Sequence, residues 1–175
     1  YMVTESYNFG PVRLPRYCVE PIGDRLVSIR MPDGKLEKFK FKAKTNNPSA
    51  DGRLECQDIT PPDLFEVTFE AQGDTTSTLS TSDINTGLRI TNGNLQTLLN
   101  DEPIDPNKYI LTLQDGTVYF IDQGFNLTGI ETTSGHSLEF THDGITHADG
   151  YAVAYIRDAQ DRIIAIQKPN GDEIT

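Results

Sequence analysis

The stretch Tyr155-Ile-Arg-Asp158-Ala-Gln-Asp-Arg162-Ile163-Ile-Ala-Ile166-Gln-Lys-Pro169-Asn-Gly171 decides the fold, because its framework occurs twice. Upstream, Tyr119-Phe-Ile-Asp122 sets a Tyr the same distance before an Asp. In both copies an aliphatic follows the Asp by five residues (Leu127, Ile163) and an Ile by eight (Ile130, Ile166). A Gly follows by thirteen (Gly135, Gly171), and the copies start 36 residues apart. Tyr-x-x-Asp reads as a strand end opening a turn, since an Asp carboxylate can accept nearby backbone N–H groups. Positions five and eight are an odd number apart, so they face opposite ways unless a bulge intervenes. The Gly at thirteen belongs to the next hairpin turn. Each copy is a hairpin module unable to bury its apolar face alone, and stacked modules form one continuous sheet. A worn third copy is expected upstream. With Pro21 in the Asp place, Leu26, Ile29 and Gly34 fall at the same offsets, Arg25 matches Arg162, and Cys18 replaces the Tyr.

The rest of the chain agrees with this reading. Lys35 to Lys44 alternates, with Lys38, Lys40, Lys42 and Lys44 on one face and Phe39, Phe41 and Ala43 on the other. Phe65 to Glu70 alternates with its acids outward, as a half-buried strand does. The lysine ladder is expected either to blunt an edge strand or to pair with acids such as Glu66 and Glu70 next door. Asp-Gly occurs at 33, 51, 115, 143 and 149, and Asn-Gly at 92 and 170. Such pairs suit type I′ hairpin turns, in which both central residues take positive φ. The best helix candidate is residues 94–100, with Leu95, Leu98 and Leu99 at helical spacing before Pro103. Residues 45–63 and 72–86, rich in Gly, Asp, Thr, Ser and Pro, read as long surface loops. The expected fold class is all-β: serial antiparallel hairpins in a twisted or spiral sheet, with little or no helix.

Composition supports this. The chain has 175 residues, enough for a real core. Leu, Ile, Val and Phe make up about a quarter of it, which excludes compositional disorder. No apolar run exceeds six residues, Tyr151 to Ile156, so no transmembrane helix is expected. No signal peptide is visible at the start. The chain opens on Tyr1 and stops at Ile174-Thr175, so a piece of something longer is expected. A net charge of −11 argues against a nucleic-acid partner. That charge is uneven: residues 1–60 carry a net +2, 61–107 a net −7 and 108–175 a net −6. The division expected is 1–60, an N-terminal β region with the worn copy; 61–108, an irregular β and loop insertion; and 109–175, two repeats continuing a sheet. Cys18 and Cys56 stand outside any CxxC pair. Two readings stay open for them: two free thiols, or a disulfide if the protein is secreted.

The spacing of the two copies resembles the RHS-repeat, or YD-repeat, family, whose pattern is Tyr-x-x-Asp, then Gly-Arg-hydrophobic, hydrophobic and Pro-x-Gly. The likeness is specific over 115–175 and weaker over 17–44. It departs at Asp161, where the family has Gly, and at Asn126, where Arg is usual. The resemblance implies a segment of a very large surface-exposed or secreted bacterial protein, or a relative of extracellular teneurin domains. Its partners would be neighbouring repeats of the same polypeptide, wound as a spiral β-sheet shell that can enclose a toxin or other cargo. Tyr119, Asp122, Gly135, Tyr155, Asp158 and Gly171 would carry the repeat geometry and no catalysis.

Chemistry elsewhere is thin. His136, His142 and His147 lie near Asp143 and Asp149, but their spacings fit no zinc template, so no metal or other cofactor is assigned. Asn100, Asp101, Glu102 and Asp105 could offer oxygens to Ca²⁺ but lack the EF-hand pattern, and read as a solvated loop. There is no Gly-x-Ser-x-Gly elbow, phosphate-binding loop, dinucleotide fingerprint or HExxH, so no enzyme is expected. The Asn126-Leu-Thr128 sequon matters only in a eukaryotic source. The rival reading is a carbohydrate-binding or adhesive module using the long loops and aromatics such as Tyr151. A hydrolase with paired carboxylates is a third, for which no pair can be nominated.

Overall fold

The structure is a computed structural model that describes residues 2–7, 15–20, 23–45, 57–59, 65–84, 87–91, 93–99 and 101–175. Among the described residues there is no helix, and the fold is all-β with antiparallel pairing. None of its elements is a helix long and apolar enough to cross a membrane. The strands are, in order, β1 Met2–Tyr7, β2 Pro15–Glu20, β3 Leu26–Arg30, β4 Leu36–Thr45, β5 Gln57–Ile59 and β6 Phe65–Gln72. They continue with β7 Thr78–Thr81, β8 Leu88–Thr91, β9 Asn94–Thr97, β10 Lys108–Thr112, β11 Val118–Asp122 and β12 Asn126–Glu131. The last are β13 Ser137–Thr141, β14 Gly144–His147, β15 Ala152–Arg157, β16 Ile163–Gln167 and β17 Glu173–Ile174. The chain divides into two compact units, Tyr1–Pro106 and Asn107–Thr175.

In the first unit, β3, β4, β6, β8 and β9 lie side by side in that order, and β1, β2 and β5 form a separate three-stranded sheet. The pairing of β4 with β6 runs across residue 60, where the charge changes sign. Alternation along β4 buries Phe39, Phe41 and Ala43 and leaves the lysines outward. The core gathers Phe41, Ala43, Phe65, Leu88, Leu95 and Ile104, with Phe69 packed against it. The Phe41 and Phe69 rings meet edge to face, 5.8 Å apart at 75°, an arrangement that adds about 0.5–1.5 kcal/mol beyond area burial.

The lysine ladder occupies a central strand, so edge-blunting is not its role. Glu70 stands opposite Lys40 and Glu66 opposite Lys44 in the register, and Lys42 forms an ion pair with Glu70. Residues 94–97 form a strand where helical spacing suggested a helix. Leu95 is buried there, whereas Leu99 is 99% exposed. Three leucines over seven residues satisfy a helical stripe and a strand followed by a turn equally well. Residues 72–86 likewise hold strand β7, with Ser77 and Leu79 buried. Ser77 Oγ donates to Glu37 at 2.9 Å and Lys35 pairs with the same carboxylate at 2.7 Å. Burial pushes that carboxyl up, but these partners together hold it below its ordinary value. Within 45–63, β5 is described and pairs with β2.

In the second unit each strand from β10 to β17 pairs with the next in sequence. Five connections that close on a Gly share one turn, at residues 31–35 in the first unit and 113–117, 132–136, 147–151 and 168–172 in the second. In each, the first N–H donates to the fifth carbonyl, and the Gly N–H donates back to the first. Only the Gly takes positive φ, 84° to 89° across Gly34, Gly116, Gly135, Gly150 and Gly171. The expected type I′ geometry is therefore replaced by a three-residue connection with a left-handed glycine. The reason lies in the preceding side chain. Asp33 and Asp115 each accept the N–H two residues on, at 2.9 Å, which keeps the Asp in the right-handed region.

Candidate functional site

The repeat residues come first. Tyr119 lies opposite Ile130 and Tyr155 opposite Ile166. In both copies the register then slips, between Phe120 and Ile121 and between Ile156 and Arg157, leaving Thr128 and Ile164 as the extra residues. This is the bulge that the odd spacing left open as the alternative to opposite faces. It returns Leu127 to the face of Ile130, and Ile163 to the face of Ile166. Thr128 Oγ1 caps the interruption by donating to the Phe120 carbonyl at 3.1 Å. Past the bulge, Asp122 Oδ1 accepts the Gly124 N–H at 2.8 Å and the Phe125 N–H at 3.3 Å. Asp158 Oδ1 accepts the N–H groups of Gln160 and Arg162 at 2.9 and 3.0 Å, and its Oδ2 takes Arg162 Nε at 2.7 Å. The Arg162 side chain first, then its backbone N–H, holds the Asp158 carboxyl below its ordinary range. Asp161, where the resemblance expects Gly, has φ 65°, and Asn126 has φ 68°. Both turns thus keep the left-handed residue, one position later in the first copy, and fill it with the types that tolerate it best.

The worn copy is only half a module. Gly34 closes the same turn as Gly135 and Gly171. The strand carrying Cys18, however, pairs with β1 and β5, opposite Thr4 and Asp58, and not with β3. Cys18 therefore does not take the place of Tyr119 and Tyr155. The side chain of Cys18, and Cys56 altogether, lie outside the described residues.

The histidines separate into two groups. His142 and Asp143 form the two-residue turn between β13 and β14. Nε2 of His142 meets Asp161 at 2.9 Å and Nδ1 meets Asp143 at 3.0 Å. Arg157 donates to the His142 carbonyl through Nη2 at 2.9 Å and to the Asp161 carbonyl through Nη1 at 2.7 Å. These bonds clamp the β13–β14 turn to the β15–β16 turn. The Asp143 carboxylate foremost, then Asp161, raises the His142 imidazole above its ordinary value of 6.5. The second group is His136 with His147, ring centroids 5.5 Å apart, and Asp149 beside them. Histidine spacing along the chain does not reveal this pair; the strand register does, once β13 and β14 are aligned.

The acidic loop is largely matched to arginines. Asp101 pairs with Arg89, and Asp105 with Arg25 at 2.8 Å. Arg25 also covers the Phe41 ring, 5.3 Å from its centroid. Asn100 lies outside the described residues. Tyr151 is 68% exposed.

The fold and its turns define an all-β chain of serial antiparallel hairpins with a 36-residue structural repeat. Compared with protein-family profiles, curated proteins and solved structures, the chain matches none.

Proposed function

We propose that the chain is a non-catalytic structural segment of an RHS/YD-repeat protein, one patch of a β-sheet shell or extracellular scaffold able to enclose a toxin or other cargo. One observation carries this reading. Two segments 36 residues apart repeat strand register, bulge, capping Asp and left-handed Gly together. Such concerted repetition suits an array in which each module buries its face against the next. The cross-strand row Leu111, Tyr119, Ile130, Leu138 leads to His147 on β14, and Val153, Tyr155, Ile166 and Ile174 lie on the same face. Ile174 is 53% exposed at the β17 edge, a surface suited to an adjoining strand. Secretion or cell-surface display follows from the resemblance alone.

Electron cryomicroscopy of the natural gene product that contains these residues tests the proposal. The expected result is β17 hydrogen-bonded to a further Tyr-x-x-Asp module of the same chain. A solvent-exposed β17 edge in that molecule would overturn it. A glycan array yielding one specific micromolar ligand would replace it with the carbohydrate-binding reading, in which Tyr151 is the first residue to mutate.

A further inference from the structure

The β13–β14 register places Leu138 opposite His147. One step further the Ala148 N–H donates to the Ser137 carbonyl at 3.0 Å, which brings the turn ending at His136 beside the turn that holds Asp149. The His136 and His147 rings lie 5.5 Å apart between centroids, and an Asp149 carboxylate oxygen lies 3.3 Å from His147 Nδ1. Their ligand atoms all lie within 4.8 Å of one another. Tetrahedral Zn²⁺, with ligand bonds of about 2.0–2.1 Å, asks for about 3.3 Å between ligand atoms, a gap that side-chain rotation can close. In the metal-free chain Nδ1 of His147 accepts the Asp149 N–H at 3.1 Å; a bound ion takes an imidazole lone pair, so this hydrogen bond gives way on binding. Both flanking turns belong to the left-handed-glycine type, Gly135 before His136 and Gly150 after Asp149, so the backbone carrying all three ligands is fixed by hydrogen bonds.

We propose that His136, His147 and Asp149 form a three-ligand surface site for a borderline transition-metal ion of the Zn²⁺ class, with water completing the shell. Two imidazoles and one carboxylate select such ions over Ca²⁺ or Mg²⁺, which prefer all-oxygen shells. The bound ion would tie the β12–β13 turn to the β14–β15 turn at one end of the sheet. The site is independent of the family reading, since it uses none of the repeat-defining residues except the turn that carries Gly135.

The test is titration of the 175-residue chain with ZnCl₂, followed by calorimetry and by the imidazole NMR resonances. One ion per chain is expected, with His136 and His147 shifting together and His142 unmoved. His136→Ala and His147→Ala should each weaken binding at least tenfold, while His142→Ala keeps wild-type affinity. Excess Ca²⁺ should leave the Zn²⁺ affinity unchanged. The proposal fails if 1 mM Zn²⁺ moves neither ring, if His136→Ala binds as tightly as wild type, or if His142→Ala abolishes binding. The ring shifts are read on the unmutated chain, so the test stands even where a variant folds poorly.

Discussion

Two glycines that look alike in sequence do different work. Gly171 follows Asn170 and Gly144 follows Asp143. A Cβ on Gly171 would meet nothing within 4 Å, and only its φ of 89° resists a side chain. A Cβ on Gly144 would run into the Val153 carbonyl oxygen, because the β15 backbone passes directly over it. Gly171→Ala should therefore cost about 1–2 kcal/mol, the ordinary left-handed penalty, and Gly171→Val somewhat more. Gly144→Ala should cost more than Gly171→Ala, because β14 and β15 must move apart. Urea melts of the three variants would check this order. Equal losses for the two alanines would mean that β14 and β15 separate without cost. The sequence reads both glycines as turn residues; Gly171 is one, whereas Gly144 opens β14 and the turn before it is His142-Asp143. Sequence alone could not distinguish them, because the strand that crowds Gly144 is placed by the next hairpin.

At the scale of elements, the hairpins were legible and their turn geometry was not. Asp-Gly serves both the two-residue turn with two left-handed residues and the three-residue turn with one. The choice falls to the Asp side chain, which accepts the N–H two residues on at positions 33 and 115. The bulge was legible only as an alternative: the odd spacing put positions five and eight on opposite faces unless a bulge intervened, and the register shows that it does. The His142 clamp was not legible, because His142 and Asp161 are 19 residues apart and meet only when β13 through β16 are in register. That clamp has a pH signature. The folded-state pKa of His142 is raised above 6.5, so its contribution to stability is full below about pH 6.5. It is lost as pH rises through the higher folded value. The melting-temperature difference between wild type and His142→Ala should be largest near pH 5–6 and shrink in alkali. NMR titration should show the His142 pKa dropping toward the ordinary value in Asp161→Asn. A pH-independent difference would show that the imidazolium is not what these carboxylates hold.

At the scale of the whole molecule, burial is unevenly shared. Phe39, Phe41, Phe65, Leu79, Leu88, Leu95 and Ile104 are buried in the first unit, whereas the second buries Leu111 and Ala165 among its described hydrophobics. Full burial of one such side chain contributes about 1.5–3 kcal/mol, so the first unit holds most of the apolar stabilisation. Amide exchange should accordingly be slowest along β4 and β6 and fastest along β16 and β17. Uniform protection would show that hydrogen bonding alone sustains the second unit. That unit also contains a counting rule. Gly116 precedes Tyr119 by three residues, and Gly150 precedes Tyr155 by five. The difference is two, the period of a strand, so both tyrosines reach the same face. Length in that segment is therefore free to vary in pairs. Loss of a single residue there would turn Tyr155 over and carry the bulge and the capping Asp158 to the wrong side.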